Sequence, residues 1–463
     1  KQQRRKSRGR SPLKSLSPLD QAFLVLERRN QPMHVGGLLL FTPPEGATPE
    51  DIRKMAEDMR ANEDAQPPFN MRLSRKLGVP MWTPDKEFDL SHHFRHIALP
   101  QPGRIRELLA MVSTLHSSLL DREFPLWETT LIEGVADGRF ALYNKMHHSL
   151  VDGVASMRLT EAILSANPDA RNMAPPWAIK RYSKAKRAGI PGPTSAISNA
   201  ISQVRTQARS VPAVTKALLS TFQQARKEPE FGALFQAPVT IFNRKIGNAR
   251  RFAAQSWPMS RVRTISKKLG CTINDVVLAM CSSALRTYLI EQDALPSKPL
   301  ITMMPMSLRK DDSDGGNQIS MVLANLATHL SDPAERLALI RRSVQASKQR
   351  LGQMSTSEIM NYTALLAGPS GLNMITGVAP EKQLYNVIIS NVPGPKRTLY
   401  WNGAKMDGMY PVSIPFNGMA LNITLVSYDD QLNFGLTACR RSVPHVQRLL
   451  EYLEQGLLEL EKL

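Results

Sequence analysis

Lys145-Met146-His147-His148-Ser149-Leu150-Val151-Asp152-Gly153 is the stretch on which the reading of this chain turns. It holds two adjacent histidines, a carboxylate four residues past the second, and a glycine straight after. Upstream, residues 127–135 and 140–147 alternate in the manner of β-strands. Between them Ala136-Asp137-Gly138-Arg139 reads as a tight turn, because Asp-Gly between two such runs is a strong hairpin signal. Downstream, residues 154–165 read as a helix that stops at Asn167-Pro168. The histidines therefore fall where a strand ends, and Asp152-Gly153 in the turn after it. Such a turn lets a side chain leave a rigid sheet and enter a cleft.

The rest of the chain supplies large α/β halves on either side. At 463 residues, 42% of them hydrophobic, it is long enough for two or three domains with sizeable cores. Helices are expected over 16–27, 48–61, 103–120, 272–292, 335–351 and 444–463. Strands are expected over 33–41, 300–306, 321–329 and 385–391, with a second hairpin over 419–439. The composition shifts at Ala174-Pro175-Pro176-Trp177, so four segments are expected. Residues 1–15 form a basic tail, expected to be disordered or an appended or trimmed end. Residues 16–177 form an N-terminal domain, 178–238 a basic helical crossover, and 239–463 a C-terminal domain.

Net charge is +19, and it is unevenly spread. Six of the first ten residues are Lys or Arg, and residues 171–227 carry eleven with no acid. Nucleic acid, a phosphate-bearing cofactor or an anionic lipid surface could each answer such tracts, as could simple solvation. Nucleic acid is the weakest of these, since the tracts lack interleaved aromatics and no helix-turn-helix or zinc pattern occurs. Residues 197–222 include a basic amphipathic pattern that could lie in a membrane interface or pack on the protein itself. No run of about 18 apolar residues marks a membrane span. Cys271, Cys281 and Cys439 are few and scattered, which fits a reducing compartment without a disulfide framework.

Three chemistries compete for the double-histidine turn. An imidazole there could take the proton of a hydroxyl that attacks a carbonyl. His147 and Asp152 could ligate a metal, but vicinal histidines on a strand point to opposite faces and a third ligand is not evident. Either histidine could be structural. Neither a Gly-x-Ser-x-Gly elbow nor a nucleotide-binding glycine loop occurs, which argues against serine hydrolysis and dinucleotide chemistry. His34, His92, His93, His96, His116, His329 and His445 lack any comparable setting and read as structural or exposed.

The His-His-x-x-x-Asp-Gly motif resembles the signature of coenzyme A-dependent acyltransferases. Four further segments narrow the likeness: Pro32-Met33-His34-Val35-Gly36, Pro125-Leu126-Trp127-Glu128, Asn274-Asp275 and Asn391-Val392-Pro393-Gly394-Pro395. Together they resemble the bacterial wax ester synthase/acyl-CoA:diacylglycerol acyltransferase family, from about residue 16 to the end. The resemblance implies a two-domain α/β fold of the chloramphenicol acetyltransferase type, with the active-site tunnel between the domains. It implies acyl-CoA as co-substrate, with no permanently bound cofactor and no metal. A long-chain alcohol or a diacylglycerol would be the acceptor. A cytoplasmic enzyme is implied, held peripherally at the inner membrane surface or on lipid inclusions.

On this likeness His148 is the general base, His147 supports it, and Asp152 braces the turn, with Arg309 as its candidate partner. Gly153 lets the backbone turn. Asn274 either serves the oxyanion or shapes the site, or merely caps its helix with Asp275. Pro125, Leu126, Trp127, Asp275, Asn391, Pro393 and Gly394 are the further candidates around the substrate. Trp127 is expected to pack under the hairpin, and residues 391–395 to form a rigid turn. Two alternatives remain: a condensation-type enzyme fed by a carrier protein, and a non-catalytic lipid-binding protein of the same fold.

Overall fold

A computed structural model describes residues 14–16, 18–76, 79–151, 153–179, 237–307, 319–354, 359 and 384–463. The first half runs β1 (Lys14–Ser15), α1 (Pro18–Leu26), β2 (His34–Thr42), α2 (Pro49–Arg60), β3 (Met71–Lys76) and β4 (Val79–Pro84). It continues with β5 (Phe94–Ala98), α3 (Ile105–Ser117), β6 (Trp127–Glu133), β7 (Phe140–His147) and α4 (Gly153–Ile163). The second half runs β8 (Arg250–Pro258), α5 (Met259–Lys268), α6 (Ile273–Glu291), β9 (Ile301–Ser307), β10 (Ile319–Asn325) and α7 (Pro333–Gly352). It ends with β11 (Val387–Pro393), β12 (Tyr400–Trp401), β13 (Ala404–Val412), β14 (Leu421–Tyr428), β15 (Gln431–Cys439) and α8 (Arg448–Lys462).

The expected hairpin is present. Asp137 and Gly138 take φ of 64° and 69°, the positive values a tight two-residue turn needs, and β6 and β7 pair antiparallel from it. These strands belong to a six-stranded sheet of order β12-β13-β2-β7-β6-β5. A second sheet of six has the order β10-β9-β11-β14-β15-β8, and a small third sheet joins β1, β4 and β3. On the second sheet lies α6, capped by Thr272, whose hydroxyl accepts from the Asp275 N–H while the Asp275 carboxylate accepts from Thr272. By length and composition α6 could cross a membrane, but 72% of that window is buried inside the fold, so it serves as the core of the second half.

The two halves interlock. After β11 the chain leaves the second sheet, adds β13 to β2 in the first, and returns as β14. The C-terminal span 239–463 is therefore not self-contained. The sequence reading assigned no element to residues 404–412. In the structure the register shifts between Met406 and Gly408, so Asp407-Gly408 marks a bulge rather than a turn. Pro411 is accommodated opposite Gly37, because β12 pairs only with the first residues of β13 and leaves the rest of that edge open.

The sequence reading also placed no strands at β3, β4, β5 or β8. Lys14 and Ser15, expected in the tail, pair with Trp82 and Met81. Residues 1–13 and the amphipathic stretch 197–222 lie outside the described residues.

Glycines set how closely β2 and β7 approach. A Cβ on Gly36 would lie 2.9 Å from the Tyr143 ring and 3.0 Å from the Asn144 carbonyl oxygen, whereas one on Gly37 would meet nothing within 4 Å. Gly36→Ala is therefore expected to lower the unfolding free energy by about 1–3 kcal/mol through overpacking. Gly37→Ala should leave it within about 1 kcal/mol, the Gly-to-Ala entropy difference. Urea unfolding followed by circular dichroism measures both.

Candidate active site

Two backbone hydrogen bonds fix the histidine turn. The His147 N–H donates to the Leu126 carbonyl at 2.9 Å, and the His148 N–H to the Met33 carbonyl at 2.9 Å. Two of the quoted segments, Pro-Leu-Trp and Pro-Met-His, thus hold the end of β7 from either side. Because neighbouring strand residues face opposite ways, His147 and His148 part company there.

His147 points away from the cavity and is fully buried. Its Nδ1 accepts from the Ser149 hydroxyl at 2.6 Å and from the Ser149 N–H at 3.1 Å. That leaves the proton on Nε2, which faces the Glu27 carboxylate at 3.3 Å. Glu27 also accepts from the Met33 N–H at 3.2 Å and from Arg122, whose Nη2 lies 3.0 Å away. Burial pushes the Glu27 carboxyl up, but the close approach of the His147 ring, with hydrogen bonds from Met33 and Arg122, more than offsets this. The net result holds the group below its ordinary value.

His148 is half-buried on the wall of the cavity. The Phe23 ring stacks on it, centroids 4.1 Å apart at 20°. Phe23 and Glu27 stand four residues apart, at the end of α1, so one helical face reaches both histidines. The sequence reading passed over both residues. The available signal was that spacing, directly upstream of Pro-Met-His.

The cavity has a volume of 660 Å³, within the range of about 300–1,000 Å³ usual for ligand sites. It lies between the two large sheets. From the first come Val35, Gly37, Asn144 and Met146, and from the second Met303, Ile388, Ser390, Val392, Asn422 and Thr424; α1, α4 and connecting segments, Met33 and Ser413 among them, complete its wall. The lining is overwhelmingly apolar. Among the described residues no group of three or more His, Cys, Asp or Glu is placed to hold a metal.

Several predicted residues stand outside this wall. Trp127 packs as expected: its indole N–H donates to the Phe69 carbonyl at 2.7 Å and its ring stacks on Trp177 at 5.6 Å. Leu126 is buried in the core beneath the turn, and Pro125 does not line the cavity either. Asp275 caps its helix, while the Asn274 amide reaches Met304 Sδ at 3.7 Å; neither lines the cavity. Gly153 opens α4. Asp152 and Arg309 lie outside the described residues.

Residues 391–395 do not form the expected turn throughout. Strand β11 continues to Pro393, with β14 on one side and β9 reaching only Val387 and Ile388 on the other, so the proline faces an open edge. Asn391 and Pro393 are exposed, and Ser390 and Val392 between them line the cavity. Gly394 lets that strand run close to β14, since a Cβ there would sit 2.3 Å from the Ser427 carbonyl oxygen.

Two interlocked sheets are an arrangement shared with known folds. The chain superposes on the starter condensation domain of rhizomide synthetase with a TM-score of 0.56 at 10% identity, covering 97% of this chain and 94% of that one. That likeness concerns the fold alone. Much nearer is the wax ester synthase/diacylglycerol acyltransferase from Marinobacter aquaeolei, with a TM-score of 0.80 at 49% identity, covering 97% of this chain and 99% of that one. The O-acyltransferase WSD of Acinetobacter baylyi is 51% identical over 447 residues, 96% of each chain. A Mycobacterium tuberculosis protein named "Probable diacyglycerol O-acyltransferase" is 44% identical over 96% of this chain and 98% of its own length. The family model for the wax ester synthase/diacylglycerol acyltransferase catalytic domain matches residues 16–277, and that for its C-terminal domain residues 315–461. The chain belongs to the wax ester synthase/diacylglycerol acyltransferase family and is an acyltransferase.

The Glu27 network makes a testable pairing. Glu27→Ala should cost about 3 kcal/mol of unfolding free energy, because it strands buried partners, whereas Glu27→Gln should cost about 1 kcal/mol. Since the folded carboxyl titrates below its unfolded value, its stabilisation is fully present above the unfolded value and drains as pH falls through the folded one. Urea unfolding across the acid range should show that limb in the wild type and a flatter one in Glu27→Gln.

Proposed function

We propose that this chain moves a long-chain acyl group from acyl-CoA to the hydroxyl of a long-chain alcohol or a diacylglycerol, with His148 as general base. The observation that carries the reading is the placement of His148 on the wall of an apolar cavity between the sheets, while His147 is turned inward. The His148 imidazole takes the proton of the acceptor hydroxyl as that oxygen attacks the thioester carbonyl. The tetrahedral intermediate collapses, the carbon–sulfur bond breaks, and the departing thiolate recovers the proton from the imidazolium. A thiol of pKa about 8.5 is a good leaving group, so a single base suffices and no acyl-enzyme is needed.

Phe23 holds the plane of the His148 ring, and the Glu27–His147 pair stiffens the turn beneath it. Acyl chains suit the lining, since water-free apolar walls both bind them and protect the thioester from hydrolysis. The excess positive charge suits the phosphates of CoA and an anionic lipid surface, where the enzyme would sit peripherally on the cytoplasmic side or on lipid inclusions.

With palmitoyl-CoA and hexadecanol, thiol release should follow addition of the protein. His148→Ala should lower kcat by about 10²–10⁴-fold with the fold intact, the loss expected for a general base. Unchanged turnover would refute the assignment. At Gly37, where open cavity lies beside the strand, Gly37→Leu should move the preference toward shorter chains without unfolding the protein. A series of acyl-CoA and alcohol lengths reads that shift.

A further inference from the structure

A long-chain alcohol asks little of a cavity wall, because its one polar group is the hydroxyl that reacts. A diacylglycerol brings two ester carbonyls as well, and an acceptor left unmet inside an apolar cavity is costly. One patch of the wall is built for such an acceptor. Asn422 and Thr424 alternate along β14, and Ser413 follows the last residue of β13; all three line the cavity.

The hydroxyl protons of this trio run in one direction. Thr424 Oγ1 donates to Asn422 Oδ1 at 2.8 Å and lies 2.7 Å from Ser413 Oγ. A threonine hydroxyl has one proton, and it is spent on Asn422, so Ser413 donates to Thr424. Ser413 is itself fixed through its backbone: its N–H donates to Thr437 Oγ1 at 3.0 Å, and its carbonyl accepts from His116 Nε2 at 3.1 Å. The relay ends on the Asn422 amide. With Oδ1 occupied, Nδ2 presents two N–H groups, and among the described residues its partner is the Ile414 carbonyl at 3.5 Å, the outer limit for a hydrogen bond. Asn422 is only 6% exposed, so this donor capacity sits on an otherwise apolar wall and not in open solvent.

We propose that the Asn422 amide, aligned by Thr424 and Ser413, holds an ester carbonyl of diacylglycerol and so sets the enzyme's preference between glyceride and simple alcohol acceptors. The inference rests on the acyltransferase reading above. The same donor could meet a different carbonyl, that of an amide in the pantetheine arm of CoA, and the experiment separates the two.

Thr424→Val keeps the shape and removes the hydroxyl that orients the amide. Its kcat/KM should be measured with dioleoylglycerol and with hexadecanol at saturating palmitoyl-CoA, together with the KM for palmitoyl-CoA. The ratio of the two kcat/KM values, glyceride over alcohol, should fall about tenfold, the worth of one neutral hydrogen bond, and Thr424→Ser should restore it. Ser413→Ala, which cuts the relay at its other end, should shift the ratio the same way and serves if the valine variant folds poorly. An unchanged ratio in both variants overturns the proposal. So does an equal fall for both acceptors with a raised KM for palmitoyl-CoA, which would give the carbonyl to the donor. Failure of the wild type to turn over either acceptor would instead strike the acyltransferase reading itself.

Discussion

The pairing of β2 with β7, ending at His34 opposite His147, is the constraint from which the site follows. Where the ladder ends, the Leu126 and Met33 carbonyls take the next two N–H groups in turn. With the backbone held there, strand alternation leaves no choice of face. One imidazole goes inward to a carboxylate and the other outward to the cavity. The inward ring has its tautomer set by Ser149 and its far side set by Glu27, so it acts as a rigid foot for the turn. The division of labour between two identical side chains is thus a consequence of pleat geometry, not of different intrinsic chemistry.

The second constraint is the excursion of β13. By lending a strand to the first sheet and then returning to the second, the chain ties both walls of the cavity into one hydrogen-bonded fabric. A cavity between two sheets joined only by a linker would open as the halves moved. Here Val412 pairs with Gly36 in the first sheet, and Ser413, one residue on, bonds Thr424 and Thr437 of the second. The apolar space is therefore framed by elements that cannot part without breaking ladder hydrogen bonds, which suits the exclusion of water from a reactive thioester.

Much of this was legible in the residues, for identifiable reasons. The Asp137-Gly138 hairpin and the helices expected over 272–292 and 444–463 rest on local signals, and each element stands where its signal lies. The motif segments were read as markers around the site; Met33, Val35 and Val392 from two of them line the cavity, while Leu126, Trp127 and Asp275 stand off it. Leu126 acts through its carbonyl, Trp127 through stacking beneath the hairpin, and Asp275 through its helix cap. Nothing in residue type alone separates a motif that touches a ligand from one that holds a strand end. β13 carries an Asp-Gly pair at its bulge, where a local signal favours a turn over a strand. Glu27 was hidden because its partner lies 120 positions away in the chain, brought near only by the β2–β7 pairing.

The account stands on a neutral imidazole at His148 receiving the acceptor's proton. The most direct test is the pH dependence of kcat/KM for the alcohol at saturating acyl-CoA. The account predicts an acid limb of unit slope that levels off once a single imidazole-range group is deprotonated. A profile flat from about pH 5 to 8, the range in which an unperturbed imidazole titrates, would contradict it.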